Sequence, residues 1–92
     1  MEEIRIVEPN FVKGSKEEKF YKIRCKIVGK PTYYQTFIDG KSVKIESKVE
    51  NPIINEYGGV NHISMVGYMV TVTKVDERGI VKEKFTKHID EF

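Results

Sequence analysis

Three side chains have the chemistry that catalysis or metal binding most often uses: the thiol of Cys25 and the imidazoles of His62 and His88. The two histidines are 26 positions apart, and no cluster of His, Cys and Asp has the spacing of a metal site. Cys25 lies among apolar residues, where a thiol behaves as a small apolar group. We therefore expect a non-catalytic protein with no catalytic residue, no metal site and no cofactor.

A more informative pattern interleaves aromatic rings with cations. In a β-strand, side chains two positions apart share a face, so residues 19–28 would present rings and cations on one side. One face of the segment that begins at Tyr33 continues this pattern. The predicted surface consists of Phe20, Lys22, Arg24, Lys26, Tyr33, Gln35, Phe37 and Lys44. Rings that stack on bases and cations that contact phosphates are typical of proteins that bind single-stranded DNA or RNA.

The same surface has other interpretations. Lysine-rich faces are common on ordinary proteins, and another part of the chain could cover the rings. An exposed aromatic patch is also typical of a protein interface. The alternative function is a structural or adaptor subunit that uses this face for homo-oligomer contact, as in a homodimer, or for contact with another protein.

The element that would position half of this surface is a hairpin. Asp39-Gly40 separates two runs of β-branched and aromatic residues, which predicts a two-residue turn. That turn sets Ile38 opposite Lys41. The hairpin's predicted core face is Tyr34, Thr36, Ile38, Val43 and Ile45, opposite the aromatic and basic face.

The remaining elements are also predicted to be strands. Residues 4–7 form a short first strand, and residues 19–28 alternate as a half-buried strand with Tyr21, Ile23, Cys25 and Ile27 inward. An irregular connection covers residues 51–62. The longest predicted strand covers residues 63–75, and a turn at residues 76–79 leads to a last strand over residues 80–89.

This order predicts a small all-β protein, as one β-barrel-like domain over residues 1–92. A three-strand meander, an irregular connection and a two-strand hairpin resemble the element order of an OB-like barrel of five or six antiparallel strands. An SH3-like barrel or a small sandwich fits the same order. The composition agrees with sheet, because the chain contains no Ala and no Leu but 11 Ile and 11 Val.

The formal net charge of +2 is distributed unevenly. Residues 13–48 contain ten Lys and Arg against four Asp and Glu, whereas the rest of the chain contains six against ten. A basic surface of this kind would attract phosphate. Cys25 is the only cysteine, segment 1–10 lacks the apolar run of a signal peptide, and no stretch reaches the ~20 apolar residues of a membrane span. We expect a cytoplasmic protein without a membrane partner.

Overall fold

The computed structural model describes residues 4–46 and 49–92 and consists mainly of strands. Its elements are β1 (Arg5–Val7), α1 (Lys16–Ile27), β2 (Tyr33–Ile38), β3 (Lys41–Glu46), β4 (Gly58–Val66), β5 (Met69–Asp76), β6 (Val81–His88) and a 3₁₀ turn, Ile89–Glu91. The strands form two antiparallel sheets of three, ordered β1-β2-β3 (the first sheet) and β4-β5-β6 (the second sheet). The predicted all-β class is confirmed.

The turn between β2 and β3 has the predicted register. Ile38 pairs with Lys41, and the pairing continues to Tyr34 opposite Ile45. Asp39 and Gly40 both have positive φ, 52° and 75°. This is a type I′ turn, whose twist matches that of the flanking strands.

The long strand predicted over residues 63–75 is wrong. Gly67 adopts a φ of 62° and forms a two-residue turn with Tyr68, so Val66 pairs with Met69. A turn with glycine at its first central position is of type II′, which favours a tight hairpin. The segment therefore contributes two paired strands instead of one.

This hairpin also explains why the segment has apolar residues on both predicted faces. Directly paired residues share a face of the sheet, and Ile63 pairs with Val72 while Met65 pairs with Val70. Odd-numbered residues of β4 thus lie on the same face as even-numbered residues of β5. The parity of the residues that share this face therefore changes at the turn. A single uninterrupted strand would keep the same parity throughout, so it would place these apolar residues on two faces.

The turn between β5 and β6 is confirmed. Asp76 Oδ1 accepts hydrogen bonds from the backbone N–H of Arg78 at 2.9 Å and of Ile80 at 3.0 Å. Gly79 takes the left-handed conformation that closes the turn, with φ 83°.

The strand predicted over residues 19–28 is wrong, because this segment is most of helix α1. Ser15 caps the helix, its Oγ accepting a hydrogen bond from Glu18 N–H at 3.2 Å. Ser followed three residues later by Glu is a known signature of a helix start. At the other end, the N–H groups of Val28 and Gly29 both donate to Arg24 O. The helix also carries acids in its first turn and cations in its last, which its dipole favours.

The helix packs on the second sheet, where the core lies. Ile23 contacts Val70 and Ile89, which are 0% and 3% exposed. Four partly buried residues surround this cluster: Phe20, Ile27, Ile63 and Met65. Phe20, Ile23 and Ile27 are three and four residues apart, so they lie on one face of a helix. This helical spacing, and not the two-residue alternation of a strand, agrees with the observed packing.

A polar network fixes the end of the helix to the second sheet. Asn61, which is 7% exposed, donates from Nδ2 to Ile27 O at 3.1 Å. Asn55 Nδ2 in turn donates to Asn61 Oδ1 at 2.9 Å and to Val75 O at 3.0 Å. Because both amides have hydrogen-bond partners, the network holds α1 at a defined place on the sheet.

The first sheet is joined to this unit mainly through aromatic rings. The Tyr21 ring lies 5.2 Å from Phe11 and 6.0 Å from Tyr33, which belongs to β2. Across the described residues, no strand of one sheet pairs with a strand of the other, so closure of an OB-like or SH3-like barrel is not shown. The OB-like order also fails locally, since α1 replaces the first strand of the predicted meander. The Cα radius of gyration is 15.2 Å, against about 12 Å for a compact domain of this length.

Candidate binding surfaces

The structure divides the predicted binding surface between two elements. Four of its residues lie on α1 (Phe20, Lys22, Arg24 and Lys26), and the other four lie on the first sheet (Tyr33, Gln35, Phe37 and Lys44). Successive helical residues are rotated by about 100°, so residues four apart share a side whereas residues two apart do not. The helical members therefore separate into two pairs, Phe20 with Arg24 and Lys22 with Lys26. They do not form the single aromatic and basic face that the sequence predicted.

The first helical pair is occupied by packing. Phe20 lies against the core of the second sheet, and the Arg24 guanidinium carbon is 5.5 Å from the centre of its ring. The Phe20 ring is partly buried in this packing. It is poorly placed to stack on a base.

The predicted residues of the first sheet do share a face. Tyr33, Gln35 and Phe37 alternate along β2, and Lys44 pairs with Gln35 from β3. This face lies on the side of α1, since the Tyr33 ring packs near Tyr21. Burial raises the pKa of Tyr33. Phe37 is the exposed ring of the set, at 46%.

The opposite face of the first sheet, predicted as core, is largely exposed. We call it the isoleucine face, and it consists of Ile6, Tyr34, Thr36, Ile38, Val43 and Ile45. Ile6, Ile38 and Ile45 are 73%, 44% and 46% exposed, and Thr36 alone is buried. The prediction fails because the helix packs beside Tyr33, on the other side of the sheet.

The isoleucine face carries little charge. Lys41, opposite Ile38 at the turn, is the only ionisable side chain among its paired positions apart from the Tyr34 phenol. Ile4, which precedes β1 and is 67% exposed, extends the apolar surface along the edge beside Thr36. An exposed apolar surface that covers one face of a sheet is a candidate interface.

The second helical pair borders a cavity of about 410 Å³ between α1 and the end of the second sheet. We call it the lysine groove. Its lining consists of Lys22, Ile23, Lys26, Ile27, Lys87, Glu91 and Phe92. Three ammonium groups against one carboxylate give the groove a positive charge, and the isoleucines provide an apolar floor.

One aromatic ring, that of Phe92, lines the same groove. Phe85 and Phe92 stack with their centres 6.5 Å apart, and Lys87 Nζ lies 5.4 Å and 5.7 Å from the two centres. The sequence interpretation missed this site because Lys87 and Phe92 are more than 60 residues from Lys22. Two local signals were present: Lys22 and Lys26 at helical spacing, and Phe85 and Lys87 at strand spacing.

The side chains considered for catalysis lie apart. Cys25 is half-buried on α1 next to Tyr21, and burial together with the Cys25 hydrogen bond raises the pKa of Tyr21 to about 12. His88 stacks on Tyr68 and accepts a hydrogen bond at Nδ1 from Asp90 N–H, whereas His62 is exposed. Within residues 4–46 and 49–92, no group of three or more His, Cys, Asp or Glu side chains is placed to hold a metal ion.

Two further findings concern the chain as a whole. No helix in the described part of the chain is long and apolar enough to cross a membrane. Comparisons with protein-family models, with curated proteins and with solved structures give no match for this chain.

Proposed function

We propose that the protein is a non-catalytic binding module that associates with a second copy of itself through the isoleucine face. The observation that carries this proposal is the exposure of Ile6, Ile38 and Ile45 on one sheet face. The contact thus uses the side of the hairpin opposite the aromatic and basic face that the sequence analysis favoured. With a single cysteine in the chain, the cytoplasm remains the compartment we propose.

The chemistry of the face favours an apolar partner surface. An acidic or basic partner would bury its charges against isoleucine side chains, which costs free energy without a compensating pair. A second copy brings an identical apolar face, and a two-fold contact sets that face against itself. Two sheets pack face to face at a spacing of about 10 Å with side chains interdigitating.

The size of the face sets the expected affinity. Three strands about 4.8 Å apart, each up to six residues long at about 3.4 Å per residue, cover roughly 300 Å². This is small beside the ~800 Å² per partner of a standard interface. We therefore expect a weak dimer that forms only at high protein concentration.

Sedimentation velocity over a concentration series tests the proposal. The wild-type protein should pass from monomer to dimer, and Ile45→Lys should remain monomeric because it places a charge within the face. The matched control is Ile80→Lys, since Ile80 is similarly exposed at 54% but lies next to the β5–β6 turn.

Two outcomes would contradict homo-association through this face. One is a wild-type protein that remains monomeric at millimolar concentration. The other is an Ile80→Lys variant that loses the dimer as completely as Ile45→Lys does. Circular dichroism of each variant shows that the sheets are retained.

A further inference from the structure

We infer that the lysine groove binds single-stranded nucleic acid, with a base against Phe92 and the apolar floor and the adjoining phosphates against Lys22, Lys26 and Lys87. The groove lies between α1 and the second sheet and shares no residue with the isoleucine face. This inference therefore does not depend on dimer formation.

The volume and lining of the groove are those of a ligand site. Cavities that bind ligands measure about 300 to 1,000 Å³ and combine an apolar lining with a few polar groups. Here Ile23 and Ile27 form the floor, and the groove measures about 410 Å³. It accommodates a short stretch of a linear ligand and leaves the rest of that ligand on the surface.

The charges select an anion. Lys22, Lys26 and Lys87 outnumber Glu91, the one acid in the lining. The Lys22 side chain is 74% exposed, and its Nζ is 3.7 Å from Glu18 Oε1, a contact that solvent weakens. Lys22 is therefore available to contact a phosphate.

The rings distinguish nucleic acid from other anions. Phe92 is 37% exposed and continues the stacked pair that it forms with Phe85. A single strand offers flat bases and phosphates in alternation, which matches a groove with the Phe92 ring and three ammonium groups in its lining. In a duplex the bases are stacked inside, so their faces are not available to Phe92.

Fluorescence anisotropy with fluorescein-labelled oligo(dT) and oligo(rU) 12-mers tests this inference. If three lysines contact phosphates of a single strand, the logarithm of the binding constant should fall against the logarithm of salt with a slope of about −2. Affinity should then decrease roughly 20-fold between 50 and 200 mM salt.

Variants locate the site on the groove. Lys87→Ala should weaken binding and reduce the magnitude of the salt slope by about 0.7. Lys84→Ala is the matched control, because Lys84 is an exposed lysine of β6 that does not line the groove. Phe92→Ala should weaken binding by about 5- to 150-fold through loss of stacking. Glu91→Gln should strengthen it, since the change removes the one acidic side chain of the lining.

Any one of four outcomes would overturn the inference. The first two are an absence of oligonucleotide binding at 50 mM salt and an equal loss of affinity in Lys84→Ala and Lys87→Ala. The others are an affinity for a duplex of the same length, or for free AMP or dodecanoate, that equals the affinity for the single strand. The dimer test with Ile45→Lys is independent, because that variant should bind the 12-mers as the wild type does.

Discussion

The two sheets have the same number of strands but differ in how they are covered. The second sheet is covered on one face by α1, and Val70 and Val72 on its central strand are fully buried. The first sheet contacts the helix mainly through Tyr33, and its apolar face remains open. Helix α1 therefore packs on the second sheet. Among the described residues, no helix covers the isoleucine face of the first sheet.

The contrast also separates the two proposed functions. The isoleucine face belongs to the sheet without a helical cover, and its low charge suits contact with an apolar protein surface. The lysine groove belongs to the covered sheet, at the place where α1 and β6 leave a gap. Variants in one region should therefore leave the binding of the other region intact.

The largest expected effect comes from a glycine in the second sheet. A Cβ at Gly59 would overlap the carbonyl oxygens of Val75 and Asp76, where β4 meets β5 through an irregular register. Backbone atoms cannot yield as a flexible side chain can, so Gly59→Ala should cost about 3 kcal/mol of unfolding free energy. Urea denaturation followed by circular dichroism measures this loss.

The corresponding change in the first sheet should be milder. Gly40 has no atom within 4 Å of an added Cβ, although its φ of 75° strains any other residue. Gly40→Ala should therefore cost about 1 to 2 kcal/mol. Equal losses for the two alanine variants would contradict the contrast between a tightly packed sheet and an open one.

A second comparison uses the same substitution in both sheets. Val70→Ala, at a side chain that is 0% exposed, should cost about 2 to 3 kcal/mol through lost burial and a cavity. Val43→Ala on the isoleucine face should cost about 0.5 kcal/mol, because that side chain is only half-buried. Urea titrations at protein concentrations below the dimer dissociation constant measure both. A Val43→Ala loss as large as that of Val70→Ala would show that the chain itself covers the isoleucine face.

Local signals in the sequence predicted the parts of the fold that local chemistry controls. Two hairpins were predicted correctly from their turns, Asp39-Gly40 and Asp76 to Gly79, because these turns need particular backbone angles and hydrogen bonds. Strand composition gave the all-β class. The turn at Gly67 was missed since apolar residues on both faces also fit a strand covered twice.

Helix α1 was missed because its short sequence satisfies two periods at once. Tyr21, Ile23, Cys25 and Ile27 alternate as in a strand, while Phe20, Ile23 and Ile27 have the spacing of a helix. The start signal that decides between them is Ser15 with Glu18, three residues apart. Giving weight to that signal would have predicted the helix.

The candidate sites depend on information that no local pattern contains. Register divides the hairpin into two faces, but which face the helix covers is decided by packing in three dimensions. The lysine groove likewise brings Lys22 next to Lys87 and Phe92 from the far end of the chain. Only Lys22 and Lys26 of that groove were among the predicted binding residues.

The last comparison concerns the ring that joins the two regions. Burial raises the pKa of Tyr21 to about 12 from its ordinary value of 10.0, with a further contribution from Cys25. The folded state therefore keeps the Tyr21 proton at a pH at which the unfolded chain releases it. Stability from this group is fully present below pH 10 and is lost as the pH rises from about 10 to about 12.

Tyr21→Phe tests this junction without removing the ring. The variant lacks the phenol, so its unfolding free energy should fall less than that of the wild type between pH 10 and 12. The measurement is urea denaturation at several alkaline pH values, with ultraviolet titration of the tyrosines on the same samples. An identical pH dependence in both proteins would mean that the Tyr21 hydroxyl is solvated. The hydroxyl would then not be buried at the junction where the Tyr21 ring packs between Phe11 and Tyr33.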